Sequence, residues 1–126
     1  MNTDEAGLHD DLTRDIIGAA FDVHNTLGCG LLEKIYENAL ARELLLRKHN
    51  VDTQKEFRVS YKGYEVGVYY ADIVVDNRAV VEVKSAEALT DVHRAQILNY
   101  LRISGLKVGL LMNFARPKLK FERFVA

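Results

Sequence analysis

Three charged side chains interrupt two strand-like apolar segments near the middle of the chain. The segments are residues 70–75 and 79–84, and the charged residues are Asp72, Glu82 and Lys84. Both segments are rich in β-branched residues and are bounded by turn formers, so they are predicted to form an antiparallel hairpin. Lys84 lies two residues beyond Glu82 and therefore on the same face of its strand.

The register of this hairpin decides whether the two carboxylates meet. If residues 76–78 form the loop, Val75 faces Ala79, and counting back along both strands places Asp72 opposite Glu82. Like charges directly opposite one another destabilise a sheet, so we expect a cation between them. A loop shorter or longer by one residue would put Asp72 on the other face.

Paired carboxylates suit a hard divalent cation. Mg²⁺ prefers carboxylate and carbonyl oxygens, and Asp72, Glu82 and the backbone carbonyl of Val83 could supply them. A cation held in this way would neutralise charge on a phosphate and activate a water, which is the chemistry of phosphodiester hydrolysis. The alternative is that Asp72 and Glu82 are solvated strand charges and that Lys84 pairs with one of them.

The spacing of Asp72, Glu82 and Lys84 also fits the Asp and Glu-x-Lys signature of the PD-(D/E)XK nuclease superfamily, which this chain resembles. Residues 30–36 (GLLEKIY) fit the GxxExxY pattern of one small-protein family within that superfamily. The resemblance runs from about residue 12 to residue 114. It implies a restriction-endonuclease-like αβββαβ core.

The resemblance also implies roles for the charged residues. In the superfamily the matching acidic pair binds the metal, and the matching lysine positions or activates the attacking water. Asp72, Glu82 and the carbonyl of Val83 would therefore bind Mg²⁺ or Mn²⁺, with Lys84 beside the water. Glu33 corresponds to an acidic residue of the first core helix, which binds a metal directly or through water. A capping role at the start of its own helix is the alternative for Glu33.

A further set of residues is expected to contact nucleic acid. Gln96 and Tyr100 lie four apart on one predicted helix and resemble the Q-x-x-x-Y element of exonuclease-like branches, and His93 lies three residues before Gln96. Tyr36 completes the GxxExxY pattern and shares a helix face with Glu33. The alternatives are an ordinary helix-to-sheet contact for Gln96 and Tyr100 and a surface position for His93.

The periodicity of apolar residues gives the order of elements as two helices, three strands, one helix and two strands. The second helix is predicted to direct Glu37 outward, and a two-residue turn at residues 62–63 is predicted to pair Val59 with Val66. A helical crossover makes the strand at residues 107–114 parallel to the strand that carries Glu82. The fold class is α/β (α+β), with a mixed central sheet, flanking helices and an extra N-terminal helix.

Composition limits the class of protein. The 126 residues are 48% hydrophobic and 28% charged, which is typical of one globular domain over residues 12–126, after a flexible acidic leader at residues 1–11. No segment resembles a signal peptide or is apolar enough to span a bilayer, so a cytoplasmic protein is expected. The net charge of −1 excludes binding to nucleic acid through bulk charge. Any contact with nucleic acid must come from local cations, and the better of two clusters comprises Arg116, Lys118, Lys120 and Arg123. The alternative is that these charges are only a solvated surface.

The sequence therefore favours a metal-dependent nuclease-like protein that hydrolyses phosphodiester bonds of nucleic acid through a Mg²⁺-activated water. DNA is favoured over RNA, and a homodimer is expected because one short domain offers a short groove beside a duplex. A non-catalytic nucleic-acid-binding or adaptor protein that retains the fold is the alternative. A third interpretation is a protein that hydrolyses or binds a smaller phosphate ester, such as a nucleotide.

Overall fold

The computed structural model describes residues 9–126. The elements, in chain order, are α1 (Asp10–Leu27), α2 (Glu33–Leu46), β1 (Val51–Tyr61), β2 (Tyr64–Val75), β3 (Ala79–Lys84), α3 (Asp91–Ser104), β4 (Val108–Asn113) and β5 (Lys120–Val125). Most of the predicted leader, residues 1–8, lies outside the described residues. Because α1 begins at Asp10, the last two residues of that leader are helical.

The strands of the described chain form one mixed sheet in the order β1-β2-β3-β4-β5. β1, β2 and β3 form an antiparallel meander, as predicted, since β2 runs unbroken from the first hairpin into the second. β3 and β4 are parallel and are joined through α3, and β5 is an antiparallel edge strand. This topology confirms the predicted α+β class with a mixed central sheet.

The helices cover the two faces of the sheet. α1 and α2 bury apolar side chains such as Ile16 and Leu40 against Val81 and other residues on one face. On the other face, Leu101 of α3 packs in a smaller cluster of buried residues from β2 and β3. Gly109 of β4 permits a close approach there, because an added Cβ would lie 3.0 Å from the side chain of Ile97 in α3. α3 is therefore held close to β4, which is the neighbour of the strand that carries Glu82.

The first hairpin differs from the prediction by one residue. Val59 pairs with Gly67, and the register shifts between Val59 and Ser60, so Val66 is an extra residue in β2. The predicted pairing of Val59 with Val66 is therefore wrong. A bulge of this kind increases the local twist of a strand, and Gly67, a glycine within the strand pattern, is the residue of the sequence that indicates it.

His49 joins α1 to the turn between β2 and β3. Its Nδ1 lies 2.6 Å from Oδ2 of Asp76, and its Nε2 contacts the carboxylate of Asp15. Burial alone would lower the pKa of His49, but hydrogen bonds to Asp15 and Asp76, together with their charges, raise it above its ordinary value. Both ring nitrogens can donate only when the ring is protonated, so this contact stabilises the imidazolium. The contact supports the turn that sets the register of β2 and β3.

Replacing His49 with Leu is expected to destabilise the protein more at pH 5.5 than at pH 8. Because folding raises the pKa of His49, its stabilising contribution is fully present below the ordinary value of 6.5 and is lost as the pH rises through the folded value. A hydrogen bond to a charged group contributes about 2 kcal/mol, which sets the size of the loss expected at pH 5.5. Urea unfolding at both pH values measures it. An equal loss at the two pH values would contradict the assignment.

Candidate active site

The register of β2 and β3 brings the two predicted carboxylates together. Val75 lies opposite Ala79, which confirms the register predicted from a three-residue loop. The backbone pairing of β2 with β3 ends at Ile73 and Val81, one residue short of Asp72 and Glu82. There Oδ2 of Asp72 accepts a hydrogen bond of 2.9 Å from the backbone N–H of Val83, so a side chain satisfies the N–H of β3 that follows Glu82. The two strands are thus held together at the site by the Asp72 carboxylate.

Glu82 is the most strongly perturbed carboxyl group of the site. Its side chain is buried, and its Oε1 has no hydrogen-bond partner among residues 9–126. Burial raises the pKa of Glu82 to about 9, and the charge of Asp72 and a hydrogen bond between the two side chains add to the effect. The positive charge of the half-buried Lys84 acts in the opposite direction. Glu82 therefore holds a proton at neutral pH when no cation is present.

The donor set fits a divalent cation that prefers oxygen ligands. An unpartnered buried carboxylate oxygen beside a second carboxylate is the arrangement that a hard cation stabilises. Among residues 9–126, no group of three or more His, Cys, Asp or Glu side chains could by itself hold a metal ion. A cation bound here would therefore rely on Asp72, Glu82, a backbone carbonyl such as that of Val83, and water. Mg²⁺ is often bound in this way, with few carboxylates and several waters.

Glu33 reaches the end of β3 from the first residue of α2. Its Oε1 accepts a hydrogen bond of 3.0 Å from the backbone N–H of Ser85, one residue beyond Lys84. The hydroxyl of Ser85 in turn donates to the carbonyl oxygen of Leu31 at 3.2 Å. Glu33 thus connects the start of α2 to the backbone of the segment that follows β3.

Glu37 belongs to the same region, although it was predicted to face outward. Only 4% of the residue is exposed. Its Oε2 accepts hydrogen bonds from Lys34 Nζ at 2.8 Å and from Gln54 Nε2 at 2.9 Å. These partners satisfy the charge, so α2 buries a carboxylate where the apolar pattern indicates a solvent position. The signal in the sequence was its spacing, because Glu37 lies four residues after Glu33 and shares its helix face.

Gln54 connects Glu37 to Asp72. Its amide nitrogen also donates to Oδ1 of Asp72 at 3.3 Å, so both carboxylate oxygens of Asp72 are hydrogen-bonded. The backbone of Gln54 has a φ of 50°, in the left-handed region, although it lies within β1. The pairing of β1 with β2 passes from Thr53 to Lys55 and omits Gln54. Because Thr53 lies opposite Ile73 and Lys55 lies opposite Ala71, the register places Gln54 opposite Asp72, where its side chain helps to hold Asp72 in place.

Replacing Gln54 with Gly is expected to weaken binding of Mn²⁺ about tenfold, since loss of a group that orients a metal ligand typically has an effect of this size. The folded protein should lose little stability. Gly removes the cost of a left-handed backbone, about 1–2 kcal/mol, which offsets the lost hydrogen bonds. Calorimetric titration with Mn²⁺ measures the affinity.

Lys62→Gly is the matched control for that variant. Lys62 also has a φ of 50°, but it lies in the turn between β1 and β2, beyond the reach of the site. The Lys62→Gly variant should also gain stability from relief of the left-handed backbone, and it should bind Mn²⁺ as the wild type does. Equal affinities for Gln54→Gly and Lys62→Gly would contradict the positioning role of Gln54.

The predicted substrate-binding residues of α3 lie along one side of the helix. Tyr100 stacks on Tyr69 with ring centroids 4.2 Å apart, and burial raises the pKa of Tyr100, with the charges of Glu82 and Asp72 adding to it. Gln96 is exposed one turn earlier. Tyr100 is therefore electrostatically coupled to both carboxylates, and substrate contact by Gln96 stays a prediction.

His93 forms part of the N-terminal cap of α3. The hydroxyl of Thr90 accepts from the backbone N–H of His93, and Nδ1 of His93 accepts from the backbone N–H of Thr90 at 3.1 Å. This reciprocal arrangement is a capping box in which a histidine takes the usual position of Glu or Gln. Its Nδ1 is therefore occupied by the cap, and substrate contact through the remaining part of the ring stays a prediction.

Tyr36 does not contact substrate in the way that the sequence suggests. It is fully buried and stacks on Phe114 with ring centroids 4.8 Å apart. Its hydroxyl donates to the carbonyl oxygen of Gly28 at 2.6 Å and accepts from the backbone N–H of Leu31 at 3.1 Å. The expectation of substrate binding is therefore corrected to a structural role, in which Tyr36 fixes the loop between α1 and α2.

Comparisons with known proteins agree with this geometry. Residues 10–124 match the family described as the PD-(D/E)XK nuclease superfamily, and the chain belongs to that superfamily. A search of curated proteins found no match. Among solved structures, the chain is similar to the crystal structure of SSO0001, with a TM-score of 0.59 and 17% sequence identity, over 93% of this chain and 59% of that chain. The similarity shows the fold, which is consistent with a restriction-endonuclease-like domain.

Nucleases of this superfamily generally use divalent metals, typically Mg²⁺. Across residues 9–126, no helix is long and apolar enough to cross a membrane.

Proposed function

We propose that the protein is a metal-dependent nuclease that hydrolyses phosphodiester bonds of nucleic acid, with DNA favoured over RNA. The observation that carries this proposal is the buried Glu82 carboxyl group, whose Oε1 has no partner among residues 9–126 and which lies beside Asp72. A buried carboxyl group whose Oε1 has no hydrogen-bond partner is unfavourable for folding alone. A cation that binds both carboxylates would remove that cost.

Asp72 and Glu82 would hold a Mg²⁺ or Mn²⁺ ion, with the carbonyl of Val83 and water as further ligands and Glu33 acting through water. When bound, the cation supplies charge neutralisation for the phosphate and lowers the pKa of a bound water. Glu82 would have to lose its proton to solvent in order to bind the cation, so metal binding would be stronger at higher pH.

The other residues orient the reacting groups. Val83 N–H and the Gln54 amide hold the two oxygens of Asp72 in fixed positions. The Lys84 ammonium has three donors and no acceptor, so it can hold the attacking water or a phosphate oxygen beside Glu82. Tyr100 contributes a further hydroxyl on the side of α3. These are positioning and electrostatic contributions, which is what phosphoryl transfer chiefly requires.

Assignment to the GxxExxY family is part of the same proposal. Each position of the motif has a role that its residue type suits. Gly30 has a φ of 99°, which favours glycine, Glu33 binds the backbone N–H of Ser85, and Tyr36 fixes the preceding loop. The motif thus places the start of α2 against the end of β3, where Lys84 lies.

The test is incubation of the purified protein with labelled single-stranded, duplex and branched DNA, the corresponding RNA, and free nucleotides, in Mg²⁺, Mn²⁺ or EDTA. Metal-dependent cleavage of nucleic acid, with DNA preferred, is the expected result. Salt-dependent binding without cleavage would instead favour an adaptor, and turnover of nucleotides alone would favour a smaller phosphate ester as substrate. A homodimer and a cytoplasmic location stay predictions, and light scattering tests the first.

A further inference from the structure

A groove of about 810 Å³ begins just beyond the end of β3. It lies between the segment that connects β3 to α3, the start of α3 and the segment that connects β4 to β5. The lining residues that matter here are Ala86, Thr90, Arg94, Arg116, Lys120 and Phe121. Its volume is within the usual range for pockets that bind small ligands, about 300–1,000 Å³, and is too small to enclose a duplex.

The groove is continuous with the candidate active site through Asn113. This residue pairs with Lys84 in the register of β3 and β4. Its buried side chain donates to the carbonyl oxygen of Ala86 at 2.8 Å and accepts from the backbone N–H of Ala86 at 3.1 Å. The same Oδ1 accepts from the backbone N–H of Ala115 at 3.1 Å. Asn113 therefore fastens together the two segments that form the groove, directly beside Lys84.

Two exposed cations of the groove are available to bind phosphate. Arg116 and Lys120 line it, and no carboxylate within residues 9–126 forms an ion pair with either of them or with the neighbouring Lys118. Between the two lysines, Leu119 is buried and anchors the segment, so both lysines remain at the surface. The segment therefore presents three cations and contains no acid of its own, while the groove is also lined by Glu87 and by Glu122, which pairs with Arg94.

Arg94 also lines the groove, but unlike Arg116 and Lys120 it is paired with carboxylates. Its Nε and Nη2 donate to the two carboxylate oxygens of Glu122, each at 2.8 Å, and its Nη1 donates to Asp91 at 2.9 Å. Its guanidinium is thus engaged by two acids. The positive potential available to a ligand comes from Arg116, Lys120 and their neighbour Lys118.

An aromatic ring completes the groove. Phe121 lines it next to Lys120 in β5; its ring packs on Phe21 of α1 with centroids 6.2 Å apart at an angle of 85°, and 39% of the residue stays exposed. A positively charged groove with an aromatic ring on which bases can stack is the usual recognition surface for single strands, because every base has a stacking face. A duplex keeps its bases stacked on one another and would leave the ring unused.

We infer that this groove binds single-stranded nucleic acid, or the single-stranded end of a longer substrate, and leads it to Asp72 and Glu82. The inference rests on the proposed nuclease function for its direction, and it specifies the substrate class of that same site. Arg116, Lys118 and Lys120 bind successive phosphates, and Phe121 stacks on one base. The scissile phosphate lies where the groove meets Lys84.

The test compares two triple variants in EDTA, so that binding is measured without cleavage. The first is Arg116→Ala/Lys118→Ala/Lys120→Ala, and the matched control is Arg14→Ala/Arg42→Ala/Lys107→Ala, which removes three exposed cations elsewhere. Fluorescence anisotropy with a labelled 20-nucleotide single strand, and with the duplex of the same sequence, measures affinity at several salt concentrations. Circular dichroism verifies that both variants fold.

The groove variant should bind the single strand at least tenfold more weakly than the control, and its salt dependence should fall by about 2 in slope, at about 0.7 per phosphate contact. Phe121→Leu keeps an apolar side chain but removes the stacking surface, and should weaken single-strand binding about fivefold or more. Equal binding by the groove variant and the control, or tighter wild-type binding to the duplex, would overturn the inference.

Failure of the groove and failure of the nuclease proposal give different results. If wild type binds through the groove and yet no metal supports cleavage, the nuclease proposal fails alone. If cleavage occurs and the groove variant cleaves and binds normally, the groove inference fails alone.

Discussion

Asp72→Asn is expected to abolish metal-dependent cleavage while leaving the fold intact. The amide oxygen of Asn can still accept the hydrogen bond from the backbone N–H of Val83, so the contact between β2 and β3 is retained. The negative charge that would hold the cation is lost. A bound metal supplies several kcal/mol of transition-state stabilisation, so the rate should fall at least about 1,000-fold.

Initial rates of cleavage of a labelled oligonucleotide in saturating Mg²⁺ or Mn²⁺ measure this loss. Asp52→Asn is the matched control, because Asp52 is an exposed carboxylate of β1 whose ion pair is with Lys55. It should cleave as the wild type does. Cleavage by Asp72→Asn within tenfold of the wild-type rate would show that Asp72 is not a metal ligand in the reaction.

The pair of strands that carries Asp72 and Glu82 was predictable because local chemistry determines it. β-branched residues define both strands, and the intervening turn residues define where pairing starts. Once Val75 faces Ala79, the two-residue period of a strand places the carboxylates near one another without reference to the rest of the chain. The same local argument gives the parallel crossover through α3 to β4.

The residues that support Asp72 were not predictable in this way, because their positions depend on irregular backbone and on contacts between distant segments. Gln54, which has a left-handed backbone, lies opposite Asp72 only because the bulge at Val66 shifts the register of β1 and β2, and Glu37 reaches Gln54 from α2. A pattern of apolar residues records which side of a helix faces the core. It does not record a buried carboxylate whose partners come from another part of the sequence.

The structure also shows that the two carboxylates are not equivalent, although the register alone suggests a symmetric pair. Asp72 has both oxygens hydrogen-bonded, by Val83 and by Gln54. Glu82 is buried with its Oε1 unpartnered among the described residues, and its pKa is raised to about 9. The free-energy cost of placing two carboxyl groups together in the metal-free protein therefore lies mainly at Glu82. A substitution of Glu82 should change the free energy of unfolding more than a substitution of Asp72 does.

Glu82→Gln is expected to stabilise the metal-free protein by about 3 kcal/mol at pH 7. The pKa of Glu82 rises from 4.5 to about 9 on folding. Between these values the folded protein holds a proton that the unfolded chain has released, so the free energy of unfolding of the wild type falls as the pH rises. The fall is about 1.4 kcal/mol per pH unit, and a glutamine, which is neutral at every pH, does not undergo it.

Urea unfolding of the wild type and Glu82→Gln at pH 5, 6, 7 and 8 measures the difference, which should be small at pH 5 and should increase with pH. Glu56→Gln, at an exposed position of β1, is the control and should match the wild type throughout. Adding Mg²⁺ or Mn²⁺ should reverse the ranking, because the cation binds the folded wild type and stabilises it by mass action, whereas Glu82→Gln lacks a ligand. If Glu82→Gln is instead destabilised at pH 7 without metal, Glu82 is a structural acid with a partner of its own, and the metal site at β2 and β3 must be abandoned.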